Sequence, residues 1–376
     1  MLHRCGTCGY CGAVNSSGIK LMAQRRSVLR GLGAGAAATG LGALGLAGLA
    51  GCSNRSALTF ANWESYLGET TLDDFKQASG IDVSLRVIPN ENALFDQIRS
   101  GAAVPDLMIA SNRMVERLRQ AGLLAPLSRA RLPALRNLDR RFAQLSYDPG
   151  GRYAVPYTWL VYAIGYRKSA VKVPPASWAD LFGNPAYAGR IALPADPADL
   201  YRIAARTIGK GPSALTAADL PALTALLTAQ LPRIKQFHSD DGQDLLLDKA
   251  ADLVAEFNGD LAQVMLEDPD LGFVLPNDGS ELTCDSLCVP TGSANADGAH
   301  QLIDYLLTSQ AGMRVLQTIN YPTPNLAAKA LMPPDYQTNP ALFPDAALLA
   351  KCDFARWDPP LDLAIKTAWD AARQLR

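Results

Sequence analysis

Asp285 is a single acid inside an otherwise apolar stretch, Leu282 to Val289. A carboxylate placed among apolar residues is costly unless a cation or good hydrogen bonds compensate it, so the position marks a candidate cation site. A second acidic pair, Asp196 and Asp199, stands three residues apart at one helix entrance. That pair also has an ordinary explanation. Asp196 as N-cap, Pro197 as first helical residue and Asp199 two residues on make a normal start for a helix running through Ile208 and stopped by Gly209. A capping carboxylate still presents a second oxygen, so the two roles are compatible.

Catalytic chemistry finds little to work with. The three histidines are His3, His238 and His300, and no H-E-x-x-H, G-x-S-x-G or P-loop pattern occurs. His238-Ser239-Asp240-Asp241 sets triad residue types side by side, but triads are assembled by geometry and seldom from sequence neighbours, which leaves an exported enzyme as a distant alternative. Cys5, Cys8 and Cys11 have metal-like spacing without a later cluster to complete a site, so no metal is expected. Gly31-Leu32-Gly33-Ala34-Gly35-Ala36 fits the start of a dinucleotide fingerprint. Basic residues precede it where a strand is required, so no cofactor is expected either.

The same segment reads as an export signal. Arg25-Arg26 precedes a charge-free run from Gly31 to Gly51 that ends Leu49-Ala50-Gly51-Cys52, resembling a twin-arginine signal peptide running into a lipobox. Its length could span a bilayer, but it carries eight glycines, each costing a helix about 1 kcal/mol against alanine. The expectation is a signal peptide over 22–52, Cys52 as the lipidated residue anchoring the protein to a membrane, and 1–21, upstream of Met22, as a spurious extension. Cys284, Cys288 and Cys352 then remain, with one bond from Cys352 to either of the others compatible with export. With 376 residues, 48% hydrophobic and 19% charged, the chain can build two domains, and a net charge of −1 excludes a phosphate-backbone binder, so nucleic acid is not an expected partner.

After a tether at Ser53 to Ser56, strand and helix patterns alternate. Strands are expected at 58–61, 81–87 and 106–110, and helices at 71–79, 93–100 and 114–121. This order implies a mainly parallel sheet with helices on its faces, in which ligands collect at the carboxyl ends of strands. Asn62-Trp63-Glu64 and Ser111 to Arg113 follow two such ends.

From Leu58 onward the chain resembles the periplasmic spermidine/putrescine-binding proteins. The resemblance is carried by Asn62-Trp63 with Tyr66; Pro105-Asp106-Leu107; Val155-Pro156-Tyr157-Thr158-Trp159 with Ala163-Ile164-Gly165; Ser177-Trp178-Ala179-Asp180-Leu181; Tyr187-Ala188-Gly189; Asp285-Ser286-Leu287; and Tyr321-Pro322-Thr323-Pro324-Asn325-Leu326-Ala327-Ala328. It implies an α/β, type II periplasmic-binding-protein fold, with two α/β lobes and a ligand cleft between them. One lobe takes 57–160 plus 285–327, the other 161–284 plus 328–376.

A polyamine needs carboxylates at intervals and aromatic walls over its methylenes. Carried over position by position, the resemblance implies ligand contacts by Asp285, Asp196 and Asp199, aromatic walls from Trp63, Tyr66 and Tyr321, Phe257 where the family has tryptophan, and a polar contact from Ser111. Glu64 is an added carboxylate. Thr283 and Arg113 depart from the family's tryptophan and tyrosine, and an arginine there must pair with Glu64 or point outward to tolerate a polycation. Implied partners are a small cationic amine and the permease and ATPase of an ABC importer, for a protein acting as a monomer. A same-fold receptor for another amine or amino-acid-like solute is the alternative.

Overall fold

Apolar residues at alternating and at three-to-four-residue spacing form the strands and helices of an α/β fold. The structure, a computed structural model, describes residues 57–374 apart from Pro89, Gln144 and Asp240. The export signal, Cys52 and the N-terminal cysteine cluster lie outside the described residues. Among the described residues the strands are β1 Leu58–Asn62, β2 Val83–Val87, β3 Leu107–Ser111, β4 Ala154–Arg167, β5 Ile191–Pro194, β6 Ile234–His238, β7 Leu253–Phe257, β8 Leu271–Val274, β9 Glu281–Cys288 and β10 Asp353–Phe354.

The first three strands are parallel, linked through α1 (Thr71–Ser79) and α2 (Glu91–Ser100), with α3 (Asn112–Gln120) leaving β3. Helices α1 and α2 end at Gly80 and Gly101, both at φ near +70°, a conformation glycine adopts without penalty. Helix α2 starts two residues earlier than periodicity predicts because Asn90 caps it, accepting the Ala93 N–H at 2.9 Å. Helix α3 starts early for the same reason, with Ser111 Oγ accepting from Met114 N–H at 3.3 Å. The helix after Asp196 runs Pro197–Ala205 and tightens into a 3-10 turn to Ile208 before Gly209.

Strand order is β2-β1-β3-β9-β4-β7-β5-β6, with β10 beside β9 and β8 beside β4. Strand β4 explains why no linker shows in the sequence. Its first half pairs antiparallel with β9, from Ala154↔Cys288 to Val161↔Leu282, and its second half pairs antiparallel with β7, from Tyr162↔Phe257 to Tyr166↔Leu253. One ordered strand thus belongs to both halves of the molecule.

The apolar interior divides in the same way. One core gathers Phe60, Met108, Ile109, Trp159 and Leu287, and a second gathers Trp178, Leu200, Tyr201, Leu223 and Trp369. Leu282 and Cys284 of β9, together with Phe343 and Phe354, pack on the first core. Among the described residues no helix is long and apolar enough to cross a membrane.

Candidate functional site

Strand β9 lies between β3 and β4, and its register sets Asp285 opposite Ser111 on one side and Thr158 on the other. Ser111 is the last residue of β3, so the acid stands at the carboxyl end of a strand where side chains from following loops converge. The loop after β1 supplies two of them. Tyr66 Oη donates to Asp285 Oδ2 at 2.8 Å and lies 2.7 Å from Thr158 Oγ1. A phenol has one proton, so with it aimed at Asp285 the threonine hydroxyl donates to the tyrosine oxygen. The Trp63 side chain also favours the ionised form of Asp285.

Among the described residues every donor to this carboxylate is neutral. Burial therefore pushes its pKa up to about 7, the Tyr66 bond offsets part of that rise, and the negative charge of Glu91 adds to it. Tyr66 is itself driven well above the usual phenol range by burial and by Asp285. Glu91 escaped the sequence reading because an acid in the first turn of a helix is expected anywhere. Its two oxygens hold Ser111, accepting from the backbone N–H at 2.7 Å and from Oγ at 2.8 Å.

A second acidic group forms around the helix Pro197–Ala205. Asp199 accepts from Tyr162 Oη at 3.0 Å and from Arg202 Nη1 at 3.1 Å. Arg202, almost wholly buried, also lies 3.8 Å from Glu281 Oε1 and 2.7 Å from Asp362 Oδ1. Burial raises the Asp199 pKa and pushes Glu281 up to about 8, while the Arg202 charge opposes both shifts. For Arg202, burial favours loss of its proton, and Glu281 and Asp199 more than reverse that. Asp196 remains exposed and serves as the cap, with Oδ1 accepting from Ala198 N–H at 2.7 Å and Asp199 N–H at 3.2 Å.

Arg113 takes neither course expected of it. Its Nη2 pairs with Asp362 Oδ2 on the C-terminal helix Pro359–Gln374, while Glu64 is exposed. The guanidinium lies 5.7 Å from the Trp357 ring centroid. Sequence distance hid this pair, since Asp362 is 249 residues away. Thr283 donates through Oγ1 to Asn112 Oδ1 at 2.9 Å, tying β9 to the start of α3.

The aromatic residues fall into two sets. Tyr66 meets Tyr321 edge-on at 6.0 Å and Tyr157 at 5.9 Å. Tyr321 Oη donates to Asp260 Oδ1 at 2.5 Å, and its ring crosses Gly259 so closely that a Cβ there would lie 2.6 Å from it. Phe257 stacks on Tyr162 at 4.1 Å, in contact with the Asp199 group. The structure thus brings Trp63, Tyr66 and Ser111 to Asp285, with Tyr321 packed against Tyr66, and brings Phe257 to Asp199 through Tyr162.

His238 is buried, with Nε2 3.0 Å from the Ala255 carbonyl and Nδ1 3.5 Å from Glu256, and burial lowers its pKa. Ser239 N–H donates to Asp241, and Asp240 lies outside the described residues. Cys284, Cys288 and Cys352 are free thiols. Among the described residues no three metal-ligating side chains converge.

Two α/β lobes sharing β4, with acids and aromatic rings gathered at strand ends, define a type II periplasmic-binding-protein fold. The chain belongs to the bacterial extracellular solute-binding proteins, whose family pattern residues 70–344 match. It is 30% identical over 324 residues to the spermidine/putrescine-binding periplasmic protein of Salmonella typhimurium, covering 85% of this chain and 90% of that one. The Escherichia coli protein of the same name is 30% identical over 319 residues, covering 84% and 89%. Among solved structures, the spermidine/putrescine ABC transporter substrate-binding protein PotD of Streptococcus pneumoniae superposes with a TM-score of 0.79 at 23% identity, covering 85% of this chain and 98% of that one. The TpPotD lipoprotein of Treponema pallidum does so with a TM-score of 0.74 at 22% identity, covering 84% and 99%. These two share the fold.

Proposed function

We propose that this solute-binding protein is the receptor of an ABC importer and captures a polyamine, putrescine or spermidine, between its lobes. The observation that carries the reading is Asp285: a carboxylate beside Tyr66 and Trp63, with only neutral donors among the described residues and a pKa pushed by burial up to about 7. An arriving ammonium is the compensation that site lacks. The names of the relatives point the same way.

In this reading Asp285 takes one ammonium, and Asp196 through its remaining oxygen, with Asp199 and Glu64, offers negative charge to another. Trp63, Tyr66, Phe257 and Tyr321 cover the methylenes, and Ser111, oriented by Glu91, adds a polar contact. The hinge runs through β4 and β9, dividing lobes of 57–160 plus 285–327 and 161–284 plus 328–376. The receptor works as a non-catalytic monomer, delivers to a permease driven by an ATPase, reaches the outside by the twin-arginine route and is held there by lipid on Cys52.

Calorimetry should give micromolar or tighter binding of putrescine or spermidine, about −8 kcal/mol, and no heat with either amine overturns the reading. In the same preparation, palmitate label on wild type should vanish in Cys52→Ala. Label that persists removes the anchor from it.

A further inference from the structure

We infer that Asp362 is a specificity-determining residue that keeps this cleft selective for ammonium ligands by occupying two arginines. The inference rests on the polyamine reading and names what enforces it. Arg113 is in the first turn of α3, two residues beyond Ser111, whose strand partner is Asp285. Its charge is felt at both ends of the acidic surface, by Glu91 near Asp285 and by Asp199 and Glu281 in the second group. A cation in that position opposes an ammonium anywhere between them.

Asp362 answers it from the opposite lobe. The C-terminal helix packs Ile365 and Trp369 into the second core, and from it Asp362 gives one oxygen to Arg113 and the other, at 2.7 Å, to Arg202. All three side chains are mostly shielded from solvent, with 26%, 23% and 4% exposure for Arg113, Asp362 and Arg202. Screening is therefore weak, and a single charge matters.

With Asp362 in place, Asp196, Asp199 and Asp362 outweigh the two guanidinium groups by one negative charge, before Glu281 is counted. Without it that count is balanced, Arg113 loses its partner, and the Arg202 Nη2 arm is freed while Nη1 stays on Asp199. Planar guanidinium groups match a carboxylate. The cleft would then favour an ω-amino carboxylate, with its ammonium at Asp285 and its carboxylate on Arg113 and Arg202, over a diamine of the same length.

The test compares putrescine with 4-aminobutyrate by titration calorimetry on wild type, Asp362→Asn and the double variant Arg113→Met/Asp362→Asn. Asp362→Asn should lose about tenfold in putrescine affinity and gain about tenfold for 4-aminobutyrate. The double variant should recover most of the putrescine loss, which damage to the fold would not do. Putrescine binding by Asp362→Asn within twofold of wild type overturns the inference, as does a loss that removing Arg113 leaves uncorrected. Wild type that binds neither putrescine nor spermidine overturns the polyamine reading, and this inference with it.

Discussion

Burial raises the pKa of both Asp285 and Asp199, yet the two acids are treated differently by their neighbours. Asp285 accepts a hydrogen bond from Tyr66 and is favoured in its ionised form by Trp63, and among the described residues it has no arginine partner. Asp199, Glu281 and Asp362 surround Arg202, and Asp362 holds Arg113 as well. Neutral donors stabilise a carboxylate without cancelling its charge, so Asp285 keeps an unmet demand for a cation. Arginine meets that demand inside the second group. Burial alone thus does not distinguish the two acids, and the charge of the hydrogen-bond partner does.

The sharpest way to break this contrast is Asp285→Ala. It should weaken amine binding by about 3 kcal/mol or more, because the bound ammonium is left buried without its partner. Unchanged affinity by calorimetry would falsify the assignment of Asp285 as the principal contact.

A smaller effect comes from protons. An ammonium favours ionised Asp285, so binding below the free pKa of about 7 must first release a proton. Putrescine affinity should rise about tenfold from pH 6 to pH 8, then level off, and Asp285→Ala should flatten the profile. The stability of the free protein moves the opposite way. A folded-state pKa raised above the unfolded value gives stabilisation that is full below about pH 4 and lost as pH rises through about 7, so thermal melts of unliganded protein should fall across that window. An affinity independent of pH would show that the acid is fully ionised without ligand.

The smallest expected effect is at Asp196, the exposed member of the second group. Asp196→Asn keeps a capping oxygen and removes the charge, so the melting temperature should hold while amine affinity falls by less than about 1 kcal/mol. No change in affinity would reduce Asp196 to a cap, widening the contrast between the two acidic groups.

Much of the frame was legible in the sequence. The helix at Thr71–Ser79 and the capped helix after Asp196 follow from local signals, since apolar periodicity, an acidic N-cap and a terminal glycine act within a few residues. The early starts of α2 and α3 were missed because Asn90 and Ser111 read as parts of a loop and a strand before their capping bonds are known. Asp285 stood out because a lone acid among apolar residues is visible without any contact. Arg202 carried a weak signal, three residues beyond Asp199 on one helix face.

Glu91, Glu281 and Asp362 carried none. Each acquires its role from a residue distant in sequence: Ser111 for Glu91, 20 residues on, and Arg202 for Asp362, 160 residues back. The sequence by itself determined the alternation of strands and helices, the family, and the presence of an acid at position 285, because these depend on residue type and local spacing. Only the tertiary structure decided that Asp285 would have neutral company while Arg113 and Arg202 would share Asp362. That outcome depends on β9 entering between β3 and β4 and on the C-terminal helix packing into the second core, and neither pairing is encoded at short range.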